Sequence, residues 1–132
     1  MSEQFNKGKQ LIVAIILGIL TYWLFAQSFL NIAPHVQGFY HVDMSIVNIA
    51  VSLTSLLTGV FIVVAGGLSD KIGRVKITNA GLILSILGSI ALIISHAPIL
   101  LLLGRVLQGL SAACLLPATI ALINSFFQGE ER

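Results

Sequence analysis

The feature that most constrains this chain is the spacing of its charged residues. Lys9 is followed by no Asp, Glu, Lys or Arg until Asp43, and further charge-free stretches cover 44–69, 77–104 and 106–129. Each stretch exceeds the roughly 20 apolar residues that a helix needs to cross a ~30 Å hydrocarbon core. Charged residues make up 9% of the chain, against about 25% in soluble domains. The sequence therefore excludes a soluble domain, a disordered tail and a nucleic-acid-binding protein, and predicts the lipid bilayer as the main partner.

The charge-free stretches predict four transmembrane helices, over about 11–33, 45–67, 77–96 and 98–124. Backbone polar groups in lipid must pair within their own segment, so the expected fold class is an all-α integral membrane protein. Pro34 should close the first helix, and the Asp43 carboxylate should cap the second. Small residues should allow close contact between the helices. These residues are Gly59, Gly66, Gly67, Gly81, Gly88, Gly104, Gly109, Ala112 and Ala113.

Basic residues predict the orientation of the chain. Six of them lie in the N-terminus, the second link and the C-terminus: Lys7, Lys9, Lys71, Arg74, Lys76 and Arg132. The first and third links, around 34–43 and 96–97, contain neither Lys nor Arg. Because basic residues are retained on the cytoplasmic side, we expect both termini in the cytoplasm.

The second link reads GGLSDKIGRVK over residues 66–76. An ordinary positive-inside turn needs the basic residues but not this order. The run resembles the signature loop of the major facilitator superfamily, G-x-L-a-D-[RK]-x-G-[RK]-[RK], and lies between the same two spans. The matching positions are Gly66, Leu68, Asp70, Lys71, Gly73 and Arg74. Val75 departs from the usual second base. The resemblance implies a conformational latch, in which the aspartate holds the cytoplasmic side closed against the other half of a transporter.

Arg105 is the one charged residue deep inside a predicted span. A central Arg costs about 2.5–3.5 kcal/mol on insertion scales, so such residues usually face the bundle interior. We hypothesise a polar cluster of Arg105, Gln108, Gln27 and Asn48. Residues 105–109, RVLQG, also resemble the R-x-x-Q-G motif of proton-coupled antiporters in the same superfamily. The resemblance implies a proton-coupling role for Arg105, Gln108 and Gly109.

Two longer runs, FAQSFLNIAP and GRVLQGLSAACLLPATIALI, resemble the fourteen-span drug:proton antiporter branch, in particular quinolone-type multidrug exporters of Gram-positive bacteria. The branch has an aspartate where this chain has Ala26. The resemblance implies efflux of amphiphilic or cationic drugs by proton antiport across the bacterial cytoplasmic membrane. Polar and aromatic residues of the first two spans are candidates for the substrate path: Trp23, Phe25, Gln27, Asn31 and Asn48.

Four spans are fewer than the six in one half of such a transporter. We therefore expect residues 1–132 to be a partial N-terminal transmembrane domain, as a truncated fragment or one piece of a split gene. Such a fragment would lack independent transport, and its partner would be the remaining spans. Two alternatives stay open: a small four-span multidrug exporter that works as an oligomer, and a non-transporting membrane interaction subunit. The small exporters carry a Glu inside span one, whereas this chain has no Glu between Glu3 and Glu130.

Enzymatic function is not expected. The sequence contains no nucleotide-binding loop, nucleophile–base set or metal-ligand spacing. We therefore predict neither a catalytic residue nor a cofactor nor a metal site.

Overall fold

The computed structural model describes residues 2–94 and 97–130, apart from the side chains of residues 2–8, 11, 22, 25–27 and 126–130. This part of the chain forms five α-helices joined by short turns. They are α1 (Ser2–Asn31), α2 (Ala33–Tyr40), α3 (Met44–Ile72), α4 (Arg74–Ile94) and α5 (Pro98–Glu130). The predicted all-α class is confirmed over the described residues.

Three of the described helices are long and apolar enough to cross a membrane: α3, α4 and the Pro98–Ser125 part of α5. They correspond to the second, third and fourth predicted spans. The predicted end of the third span, at residue 96, lies outside the described residues. In α1, the apolar stretch within the described residues is shorter, Ile12–Thr21. The count of four spans therefore stays a prediction.

The link between α1 and α3 is itself helical, which differs from the sequence prediction. α1 ends at Asn31, and Pro34 lies in the first turn of α2. There the missing proline N–H costs no helical hydrogen bond, so Pro34 begins a helix instead of closing one. Asp43 occupies the N-cap position of α3, but its side chain makes no capping hydrogen bond. Its backbone carbonyl accepts the Ile46 amide at 2.9 Å.

α2 covers one end of the helix bundle, which we call the α2 end. Val36 and Tyr40, one turn apart on α2, are buried in a cluster with Phe29 and Leu101. The Tyr40 hydroxyl donates a hydrogen bond to the Leu92 carbonyl of α4 at 2.8 Å. Burial raises the pKa of Tyr40 above its usual value.

α5 is the central helix, because it packs against both α3 and α4. Half of its apolar stretch is buried, against 17% in α3 and in α4. Ala112, Ala113 and Ala118 of α5 are at most 1% exposed. Small side chains let neighbouring helices approach, because no long side chain separates their backbones.

Close helix contacts form at glycines on both sides of α5. A Cβ atom at Gly109 would lie 2.7 Å from the Thr54 carbonyl oxygen of α3. A Cβ atom at Gly104 would lie 2.8 Å from the Leu92 side chain of α4. Two glycines of α4 face α5 at similarly short range: Gly81 and Gly88. These positions confirm the predicted role of small residues in packing.

Among the described residues, the same prediction is wrong at Gly59 and Gly67. Both glycines lie on the exposed face of α3, and a Cβ atom there would meet no described atom within 4 Å. Gly66 is intermediate, with the Pro117 Cβ atom at an ordinary 3.6 Å. The contact at each of these glycines depends on which face of α3 packs against α5.

Candidate functional site

The turn between α3 and α4 consists of a single residue, Gly73. Its φ is 113°, a conformation that residues with a side chain rarely adopt. The Gly73 amide donates to the Ser69 carbonyl at 3.0 Å, and the Gly73 carbonyl accepts the Ile77 amide at 3.2 Å. One helix therefore ends and the next begins at the same glycine.

Arg74 connects this turn to the far end of α5. It lies 3.6 Å from the Asp70 carboxylate, one helical turn earlier in sequence. Its Nη1 also donates to the Ala121 carbonyl at 2.8 Å and to the Ser125 hydroxyl. The Asp70 contact joins residues four positions apart, whereas the contacts with α5 join residues about 50 positions apart and have no local sequence signal.

Three other residues of the signature loop lie at the surface. Leu68 is 42% exposed, and the side chain of Asp70 is 68% exposed. Lys71 is exposed as well. The turn therefore presents an acid, a base and an apolar side chain to its surroundings.

Arg105 is buried inside the bundle, with 2% of its surface exposed. Its Nη1 donates to the Gln108 Oε1 at 2.8 Å, and Gln108 is itself 4% exposed. The guanidinium carbon lies 4.2 Å from the centre of the Phe29 ring of α1. A desolvated contact of this kind contributes about 2 kcal/mol. The side chain thus turns inward, as expected for a charge at this depth.

The structure joins part of the hypothesised polar cluster. Arg105 and Gln108 are in contact, whereas Asn48 is exposed on α3. Asn48 follows the buried Val47, and adjacent helical residues point roughly 100° apart, so it turns away from the interior. The Gln27 side chain lies outside the described residues. Phe29, which does contact Arg105, was not in that hypothesis, because an aromatic residue in an apolar helix gives no distinct signal.

Three residues of the predicted substrate path lie at the surface of the described part of the chain: Trp23, which is 52% exposed, Asn31 and Asn48. The side chains of Phe25 and Gln27 lie outside the described residues. An open groove of about 500 Å³ lies at the α2 end. Phe29 and Phe39 line it, together with apolar residues of α2 and α4.

The chain is similar to known proteins over nearly its whole length. Residues 11–132 match the family model of the Major Facilitator Superfamily. Two relatives are the quinolone resistance proteins NorB of Staphylococcus aureus strains JH9 and Newman, each 51% identical over 130 residues. The match covers 98% of this chain, and the chain spans about 28% of the length of these curated relatives. Because this family model matches nearly the whole chain, the chain belongs to the major facilitator superfamily.

Proposed function

We propose that this chain serves in multidrug efflux of the quinolone type, driven by proton antiport, as one part of a larger exporter. The observation that carries the proposal is the buried pair of Arg105 and Gln108 inside a membrane-length helix. A buried charge is costly in lipid, and intramembrane charges therefore mark ion and substrate pathways. The NorB relatives support quinolones as the substrate class.

Arg105 would act in this exporter as a fixed positive charge. A nearby positive charge favours the ionised form of a carboxyl group and lowers its pKa. A carboxyl group that moves towards Arg105 would therefore release its proton, and one that moves away would take a proton up. Gln108 and the Phe29 ring would hold the guanidinium in place for this exchange. Gly109 would serve by close packing on α3.

The turn around Gly73 would act as the cytoplasmic latch. The exposed Asp70 and Lys71 are available to meet another part of the exporter, while Arg74 ties the turn to α5. The distribution of basic residues in the sequence supports a cytoplasmic position for this turn and for both termini. α1, with 30 residues, would supply the first of the four predicted spans, because such a helix is about 45 Å long.

A hybrid exporter tests this proposal. The matching segment of the Staphylococcus aureus relative is replaced by this chain, and norfloxacin efflux is followed in cells that lack other exporters. We expect the hybrid to export norfloxacin and the R105M variant of the hybrid to lose export. L103M is the matched control, because Leu103 lies two residues away on α5 and is 49% exposed.

Three outcomes would contradict the proposal. Export by the R105M hybrid at the level of the unmodified hybrid would remove Arg105 from the mechanism. Norfloxacin efflux by the 132-residue chain alone would favour the small oligomeric exporter. Co-purification of a second membrane polypeptide, without efflux by the hybrid, would favour the interaction subunit.

A further inference from the structure

Two threonines of α3 donate hydrogen bonds to the backbone of α5 at the residues of the R-x-x-Q-G motif. The Thr54 hydroxyl donates to the Arg105 carbonyl at 3.0 Å, and Thr54 is 5% exposed. One turn further along, the Thr58 hydroxyl donates to the Gly109 carbonyl at 3.1 Å. The donors and the acceptors are each four residues apart, so the two bonds fix a parallel register between α3 and α5.

These bonds are not needed to satisfy the hydroxyl groups. Each threonine also lies near the carbonyl one turn earlier in its own helix, at 3.2 Å for Thr54 and 2.8 Å for Thr58. Thr21 shows that such an intrahelical bond can suffice, since its hydroxyl donates to the Leu17 carbonyl at 2.7 Å. Thr54 and Thr58 therefore point at α5 because of where they lie on α3.

Gly109 makes the contact between α3 and α5 close enough for both bonds. A Cβ atom at position 109 would lie 2.7 Å from the Thr54 carbonyl oxygen and 3.0 Å from the Leu57 Cβ. A larger residue would push the helices apart and lengthen the bonds to the carbonyls of Arg105 and Gly109. The glycine and the two hydroxyls thus act on the same stretch of backbone.

The register of α5 sets the depth of the Arg105 side chain. The guanidinium carbon lies 4.2 Å from the centre of the Phe29 ring of α1. This contact depends on the position of α5 along its own axis. A slip of one turn moves a helix by about 5.4 Å, which would break both threonine bonds and carry Arg105 away from the ring.

We propose that Thr54 and Thr58 are positioning residues, which hold α5 in the register that places Arg105 against Phe29. The functional purpose of this placement rests on the proposed function, in which Arg105 is the coupling charge. The placement itself does not rest on the proposed function, and it can be measured in the 132-residue chain without a transport assay.

Nuclear magnetic resonance of the chain in lipid nanodiscs, with ¹⁵N-labelled arginine, tests the placement. The chain has three arginines, Arg74, Arg105 and Arg132, so the Nε–Hε spectrum is simple, and R105K identifies the Arg105 signal. The Phe29 ring should shift this signal upfield, and the F29L variant gives its position without the ring.

The T54V/T58V variant keeps the shape of both side chains and removes both hydroxyls, so we expect the Arg105 signal to lose most of its upfield shift. The T54S/T58S variant restores the hydroxyls and should restore the shift. T21V is the matched control and should leave the signal unchanged, because Thr21 is exposed and bonds within its own helix.

An unchanged Arg105 signal in T54V/T58V would overturn the proposal, as would an equal loss in the serine variant. If the double variant does not fold, the Arg105 signal is measured in the single variants T54V and T58V, and an unchanged signal in both would overturn the proposal. In the hybrid exporter, T54V/T58V should also shift the pH profile of norfloxacin efflux. A lost upfield shift with an unchanged pH profile would uphold the positioning and refute the coupling role of Arg105.

Discussion

The contact between Gly109 and α3 gives a sharp prediction for the G109A variant. The added methyl group would lie 2.7 Å from the Thr54 carbonyl oxygen and 3.2 Å from its Cα, whereas ordinary contact is 3.4–4 Å. Both neighbours are backbone atoms, so the helices themselves must move apart. Overpacking of this kind costs about 1–3 kcal/mol.

Two further effects of G109A nearly cancel. Separating the helices weakens the bonds from Thr54 and Thr58, and interhelical bonds in membranes average about 0.6 kcal/mol each. Replacing a glycine by alanine inside a helix gains about 1 kcal/mol. We therefore expect the G109A variant to lose about 1–3 kcal/mol of unfolding free energy, on the overpacking scale.

The unfolding free energy can be measured by titrating sodium dodecyl sulphate into mixed micelles and following the helical circular dichroism. G59A is the matched control, because Gly59 is also inside a helix but a Cβ atom there would meet no atom of the described residues within 4 Å. G59A should be neutral or more stable by up to about 1 kcal/mol. Equal unfolding free energies for G109A and G59A would refute the close contact between α3 and α5.

Three other substitutions test the strain at Gly73, the anchoring of α2 by Tyr40 and the role of Arg105. The G73A variant should lose about 1–3 kcal/mol of unfolding free energy, because φ is 113° at Gly73. The G67A variant is the control and should keep its unfolding free energy, because a Cβ atom at Gly67 would have no described neighbour within 4 Å. Equal unfolding free energies for the two variants would contradict the strain at Gly73. The Y40F variant removes the hydrogen bond to the Leu92 carbonyl, which contributes about 0.5–1.5 kcal/mol. The backbone amides of α2 should therefore exchange hydrogen faster in this variant. Unchanged exchange rates would show that this bond does not anchor α2. R105M should change the unfolding free energy in detergent little. The loss of the ring contact, about 2 kcal/mol, and of the bond to Gln108, about 1–3 kcal/mol, is offset by removing a buried charge that costs about 2.5–3.5 kcal/mol. A large loss of stability would mean that Arg105 serves mainly the fold.

The candidate site was partly readable from the sequence. Gly73 and the Asp70–Arg74 pair are local, since a turn and an i,i+4 pair need only neighbouring residues. The Arg105–Gln108 contact is local for the same reason, at i,i+3. The contacts of Arg74 with α5 and of Arg105 with Phe29 could not be predicted from the sequence, because they join residues that are far apart in the chain.

The sequence by itself determined that this chain enters a membrane as helices, because its charges leave stretches long enough to cross and lipid forces the backbone to bond internally. It could not determine which helix faces meet. Lipid is as apolar as a leucine side chain, so an inward face and a lipid-facing face carry the same residues. Only the tertiary structure therefore decided that Gly109 packs tightly while Gly59 lies open, and that Asn48 turns outward while Phe29 covers Arg105.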